Sequence, residues 1–156
     1  HSEEFHNNVL DLVESMQFYE GAGLSANQIG INKRIIVIQD KIHTHIKGKG
    51  YVDALVMVNP VIKSNSGTVI FGEEGCLSVP GIFEKVKRWE SVRVEYRNVD
   101  GELESLVSRD MEARVVQHEI DHLDGKLFIE YLSTNKRVQL KDDLVKILRS
   151  KKNDKM

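Results

Sequence analysis

The 156-residue chain has one cysteine, Cys76. A single thiol excludes an internal disulfide framework and fits a reducing compartment. Excess charge of either sign is also missing: 22 Lys and Arg stand against 24 Asp and Glu, a net charge of -2. That balance makes no overall case for nucleic-acid binding, and none for DNA. Apolar runs such as Ile35-Ile36-Val37-Ile38 are far too short to span a membrane. No signal peptide, repeat or linker is visible. The chain opens at His1 and not at Met, so a missing targeting segment says little about location. The remainder is ordinary for a soluble globular protein, with 40% hydrophobic and 29% charged residues. The length suits one domain, residues 1–156, with a real core.

Phe5, Val9, Leu12, Val13 and Met16 recur at helical spacing, which predicts an amphipathic helix from Glu3 to Tyr19. Gly21-Ala22-Gly23 ends it. Leu24 to Gly30 is a small-residue stretch that lets backbone approach closely, or simply a helix stop and loop. Arg34 to Gln39 is β-branched and reads as a buried strand. Lys41 to Gly50 is polar and reads as a solvated loop, although His43 and His45 form an HxH pair. Ala54 to Val58 reads as a strand stopped by Asn59-Pro60, with Val61-Ile62 as an extension. Thr68 to Phe71 is a short strand leading into Gly72 to Gly81. Ser91 to Arg97 and Leu103 to Val107 flank Asn98-Val99-Asp100-Gly101 and predict a hairpin. Met111 to Leu123 reads as a helix, Leu127-Phe128-Ile129 as a last strand, and 135–152 as a basic amphipathic helix. From Lys136 onward eight Lys or Arg face three Asp. Such a tail is usually a solvated face; its functional reading is contact with RNA.

The chemistry centres on Gln117-His118-Glu119-Ile120-Asp121-His122-Leu123. Helix positions four apart share a face, so His118 and His122 could meet one ion. Glu119 lies beside that face, where it could take a proton from a water at the ion. A charged surface helix could carry the same residues with no metal. A catalytic site needs at least one more ligand. The HExxHxxGxxH pattern fails, because Phe128 stands at the third histidine position. No Glu follows Glu130, which leaves Asp142 and Asp143 as poor substitutes. Upstream, Cys76 sits in a Gly-bounded turn, and thiolate is a strong ligand for Zn²⁺ or Fe²⁺. Taken alone, Cys76 is more often a small buried hydrophobe.

Gly21-Ala22-Gly23-Leu24-Ser25-Ala26-Asn27-Gln28, Glu74-Gly75-Cys76-Leu77-Ser78 and Gln117-His118-Glu119-Ile120-Asp121-His122 together resemble the three motifs of peptide deformylases, in the family's order. Ser25 stands where that family usually has Ala, and the 41–50 stretch is longer than in compact members. The resemblance implies an α+β fold, with antiparallel β-sheets packed around a central helix carrying HEIDH and amphipathic helices at both ends. It implies one divalent metal held by Cys76, His118 and His122, natively Fe²⁺, with Zn²⁺, Ni²⁺ or Co²⁺ as substitutes. It implies Glu119 as the proton carrier, and the Gln28 amide and Leu77 backbone N–H as donors to the formyl oxygen. The substrates implied are formyl-methionyl nascent peptides, in a bacterial-type cytoplasm or an organelle, with ribosome contact through the basic C-terminal helix. Gly23 and Gly75 would let the peptide lie close as an added strand, and Val115 would line the Met pocket. Asp121 and Glu74 would orient Arg88 or a ligating histidine; a surface ion pair is the plainer reading.

Three other readings compete. HExxH alone would serve an endopeptidase, but the downstream ligand is absent. A thiol hydrolase pairing Cys76 with a histidine leaves Glu119 and the second histidine unexplained. A non-enzymatic RNA or ribosome binder suits the basic tail but not an intact Cys, His, His, Glu and Gln set.

Overall fold

The computed structural model describes residues 2–76 and 79–126, with the side chains of residues 76 and 79–82 outside that description. The run Ile35-Ile36-Val37-Ile38 sets the layering. A strand sends alternate side chains to opposite faces, and all four of these are buried. Both faces of their sheet are therefore covered. Ile35 and Val37 pack with Val9, Leu12, Val13 and Met16 of a first helix, α1 (Glu3–Phe18). Ile36 and Ile38 pack with Ala113, Val116 and Ile120 of a second helix, α2 (Asp110–Leu123).

The strands in chain order are β1 (Gly23–Ser25), β2 (Ile35–Ile46), β3 (Gly50–Asn65), β4 (Val69–Cys76), β5 (Val79–Trp89), β6 (Ser91–Arg97) and β7 (Leu103–Arg109). Five of them form an antiparallel sheet in the order β1-β2-β3-β6-β7. β4 and β5 form a separate antiparallel ribbon. A short 3-10 helix, Ala26–Ile29, links β1 towards β2. The architecture is the expected mixture of helices with antiparallel sheets around the HEIDH helix. The expected β6–β7 hairpin is present, as are both helices that fall in the described residues. The last strand at 127–129 and the helix at 135–152 lie outside the described residues.

Two segments differ from expectation. Lys41 to Gly50 is not a loop: β2 continues to Ile46, and β3 begins at Gly50. Only Lys47-Gly48-Lys49 turn, with Gly48 at φ +78 and Lys49 N–H donating to the Ile46 carbonyl at 2.9 Å. The polar residues are held by cross-strand partners. His43 Nδ1 lies 2.6 Å from Asp53 Oδ1, the His45 ring meets Tyr51, and the Thr44 hydroxyl donates to the Ala54 carbonyl at 2.6 Å. β3 likewise has no stop at Asn59-Pro60, and it includes the expected extension at Val61-Ile62. A register shift between Val58 and Val61 absorbs the proline, with Asn59 at φ 51, a region that Asn tolerates better than most residues.

Because the sheet is sandwiched, truncation on either face should be costly. Leu12→Ala on the α1 side and Ile36→Ala on the α2 side should each lower the unfolding free energy by about 2–5 kcal/mol. The exposed Leu103→Ala should stay within about 0.5 kcal/mol. Urea unfolding of the three variants checks this.

Candidate metal centre

α2 is buried on three sides, and each side meets a different partner. Ala113, Val116, Ile120 and Leu123 face the five-stranded sheet. Arg114, Gln117, His118 and Asp121 face the β4–β5 ribbon. Val115 and Glu119 face β1, where the approach is so close that only glycine fits. A Cβ on Gly23 would stand 2.7 Å from Val115 Cγ1 and 3.0 Å from Glu119 Cγ. The close approach expected at Gly23 is therefore one that α2 itself makes. At Gly75 the same space is taken by the Phe83 ring, 2.4 Å from where a Cβ would be.

His118 and His122 share the turn that their spacing predicts. Their Nε2 atoms are 3.0 Å apart, and both residues are buried. Two imidazoles on one tetrahedral ion, each at 2.0–2.1 Å, have nitrogens roughly 3.3 Å apart. The observed spacing fits that arrangement. His118 Nδ1 lies 2.7 Å from Glu74 Oε1. With Nδ1–H donating to the carboxylate, Nε2 keeps its lone pair on the side of His122. Glu119 Oε1 is 3.8 Å from His118 Nε2, too far for a hydrogen bond but near enough for a small species to lie between. Among the described residues, His118, Glu119 and His122 form a group whose ligand atoms lie within 4.8 Å of one another.

Glu74 anchors this arrangement from the ribbon. Its two oxygens take Arg88 Nη2 and Nε, both at 2.9 Å, and Arg114 Nη1 donates to Oε2 at 2.7 Å. Burial works to raise the Glu74 pKa. The hydrogen bond with His118 and the Arg88 guanidinium outweigh it and bring the pKa down to about 2. Burial likewise works against the Arg88 charge, yet Glu74 and Asp121 hold that pKa above its ordinary value. Both Glu74 and Arg88 are buried, so the orienting role expected for Glu74 and Asp121 describes them, and a surface ion pair does not.

The 3-10 helix seats Gln28 beside the same end of α2. Asn27 Nδ2 donates to the His122 carbonyl at 2.6 Å. Gln28 Oε1 accepts the Ser25 N–H at 2.9 Å and lies 2.8 Å from Ser25 Oγ, which fixes the orientation of the amide. Cys76 is the last residue of β4, two residues on from Glu74; its side chain and all of Leu77 lie outside the described residues. Sequence reasoning missed Arg114, Gln117 and Gly72. Gln117 exchanges two hydrogen bonds with the Trp89 backbone, at 3.0 and 2.8 Å, as a neighbouring strand would. The available signal was the polar stripe at 114, 117, 118 and 121, spaced as one helix face.

The Polypeptide deformylase family model matches residues 1–138. The chain belongs to the peptide deformylase family. Peptide deformylases are metal-dependent hydrolases, and this one removes the N-terminal formyl group from nascent polypeptides, releasing formate. The chain is 43% identical over 127 residues to the peptide deformylase of Rickettsia akari, covering 81% of this chain and 73% of that one. The crystal structure of the deformylase from Ehrlichia chaffeensis superposes with a TM-score of 0.83 at 33% identity, covering 96% of this chain and 86% of that one. A Met-Ala-Ser-bound class I type b deformylase from Acinetobacter baumannii gives a TM-score of 0.74 at 37% identity, covering 84% and 82%. Family membership removes the endopeptidase and the non-enzymatic RNA binder as readings. Among the described residues no helix is long and apolar enough to cross a membrane.

The Gly23 contact gives a direct test. Gly23→Ala must push Val115 or Glu119 aside, so it should cost roughly 1–3 kcal/mol of stability and lower kcat together with it. Thermal unfolding paired with a formate-release assay reads both. Unchanged values would mean that α2 and β1 separate without consequence.

Proposed function

We propose that Cys76, His118 and His122 hold one divalent cation, natively Fe²⁺, and that Glu119 carries the proton of the deformylation step. The observation that supports this most directly is the convergence of the His118 and His122 Nε2 atoms beside the Glu119 carboxylate. The donor types support it too, since one thiolate with two imidazoles suits Fe²⁺ or Zn²⁺. When bound, the cation supplies Lewis acidity, lowering the pKa of a water and polarising the formyl carbonyl.

Glu119 would take a proton from the attacking water as the water oxygen bonds to the formyl carbon. The Gln28 amide N–H and the Leu77 backbone N–H donate to the oxygen on which negative charge builds. Glu119 then gives its proton to the amine nitrogen as the C–N bond breaks, leaving formate and a free amino terminus. The methionine side chain lies against Val115 and the Gly21-Ala22-Gly23 turn, and the substrate backbone pairs as an added strand beside Gly23 and Gly75, whose missing side chains make room for α2 and the Phe83 ring and not for the peptide. All of this lies in one domain over 1–156. The eight basic residues from Lys136 onward support contact with ribosomal RNA. A bacterial-type cytoplasm or an organelle, where formylated chains are made, is the location that fits this activity.

Substitutions separate holding the metal from proton transfer. Cys76→Ala and His118→Ala should lose the metal, whereas Glu119→Gln should retain it while activity falls at least roughly 10²–10⁴-fold. Metal analysis and formate release on the same samples check this, and near-normal turnover by Glu119→Gln would remove Glu119 from the mechanism. Offered formyl-Met-Ala-Ser and acetyl-Met-Ala-Ser, the enzyme should act on the first about ten- to a hundredfold faster, because the acetyl methyl overpacks the space by about 1–3 kcal/mol.

The choice of metal is tested by oxidation. A thiolate on iron is open to attack at both metal and sulfur, so the Fe²⁺ form should lose activity in air or peroxide while Zn²⁺ and Ni²⁺ forms persist. Equal decay of all three would place the damage elsewhere in the chain.

A further inference from the structure

Arg114 is a charged residue in the interior, buried between α2 and the ribbon. Its guanidinium donates from Nη1 to Glu74 Oε2 at 2.7 Å and to the Val86 carbonyl at 2.8 Å. Nη1 also reaches the Gly72 carbonyl at 3.3 Å, and Nη2 donates to the Ile70 carbonyl at 2.9 Å. These acceptors lie on both strands of the ribbon. β4 is shaped to receive the group: a Cβ on Gly72 would stand 2.6 Å from the Arg114 Cζ and Nε atoms. A planar fork with several fixed donors meets such a set of acceptors; a lysine ammonium cannot.

The position of Arg114 matters as much as its bonds. The Glu74–Arg88 pair is internal to the ribbon, because Glu74 lies on β4 and Arg88 on β5. It fixes the carboxylate within the ribbon; Arg88 also reaches α2 through Asp121, and Gln117 of α2 holds the Trp89 backbone, but neither helix residue bonds Glu74 itself. Arg114 comes from α2, one turn before His118, on the same face. It therefore references Glu74 to the helix that carries both histidines. It also grips Ile70 and Gly72 on the strand that ends at Cys76.

We propose that Arg114 is a positioning residue for the metal centre, holding the ribbon that ends at Cys76 in place against α2 and keeping Glu74 aimed at His118. The inference rests on the assignment of Cys76, His118 and His122 as ligands. Groups that orient metal ligands typically change metal affinity or activity 10–100-fold when removed, and that is the size of effect expected here.

The test uses the full chain loaded with Ni²⁺, with release of Ni²⁺ to excess chelator as the readout. Arg114→Met should release the ion about tenfold faster or more, and Arg114→Lys should resemble Arg114→Met more than the parent. Gly72→Ala should also speed release, because its methyl displaces the guanidinium. In an Arg114→Met background the same Gly72→Ala change should add nothing, since the methyl then has room. The Co²⁺-loaded Arg114→Met variant should show altered visible bands, which a loss of global stability alone does not produce. Parent-like Ni²⁺ release and an unaltered Co²⁺ spectrum in a folded Arg114→Met variant overturn the inference. So does an equal effect of Gly72→Ala with and without Arg114. If Arg114→Met does not fold, Gly72→Ala in the otherwise intact chain decides: faster Ni²⁺ release supports the inference, and parent-like release overturns it. Cys76→Ala and His118→Ala run alongside as controls. Full Ni²⁺ occupancy in those two sinks the ligand assignment itself, whereas metal loss there with parent-like release from Arg114→Met sinks the inference about Arg114 alone.

Discussion

One buried carboxylate, that of Glu74, ties the β4–β5 ribbon to α2. Among the described residues, the β4–β5 ribbon and α2 are joined by hydrogen bonds among Glu74, Arg88, Arg114, Gln117, His118 and Asp121 and the Trp89 backbone. Burying such charges is unfavourable unless each is paired and hydrogen-bonded. Here each Glu74 oxygen has two donors, which is why the carboxyl group stays ionised in spite of its burial. A buried pair of this kind adds little net stability but is costly to break, since the survivor is left as an unpaired charge. The cluster is therefore costly to disrupt from either the ribbon or the helix. It specifies which side of α2 meets the ribbon, and so where His118 lies.

The rest of the fold serves α2 in a different way. The sheet supplies a flat apolar bed for Ala113, Val116 and Ile120, and the opposite face of that sheet is closed by α1. Gly23 allows β1 to come against Val115 and Glu119 without an intervening side chain. Asn27 holds the last turn by its carbonyl. A helix gripped on three sides has little freedom to rotate, so the two Nε2 atoms, brought together by their four-residue spacing, keep a fixed direction relative to the sheet and the ribbon.

Much of this was legible in the residues. The helix periods, the β6–β7 hairpin and the two-faced β2 strand all follow ordinary patterning, and the HEIDH spacing placed both histidines on one face. β5 was not legible, and the reason is physical. The ribbon buries two charged residues and exposes aromatics: Glu74 and Arg88 are buried, while Phe71 and Phe83 are 64% and 63% exposed. A reading that sends apolar residues to the core inverts such an element. Arg114 and Gln117 were passed over for the same reason, as polar positions on a helix whose polar face is buried. The polar 41–50 segment misled in the opposite sense. Its strand pairing depends on backbone bonds and on cross-strand partners such as Asp53 and Tyr51, which a local pattern does not display.

The contact between Glu74 and His118 joins residues 44 apart in the chain, and that separation orders events during synthesis. Closing a loop of this length costs on the order of 3 kcal/mol of chain entropy. The Glu74–Arg88 contact spans only 14 residues, so it belongs to a hairpin that can pair while the downstream chain is still being made. The Glu74–Arg88 contact can thus close before α2 has been made, while the side of the carboxylate that α2 will cover is still wetted. Water leaves that face only when α2 arrives with Arg114 and His118 together. The histidine cluster is therefore among the last parts of the described chain to assemble, and a partly made chain has no finished centre in which to trap a stray ion.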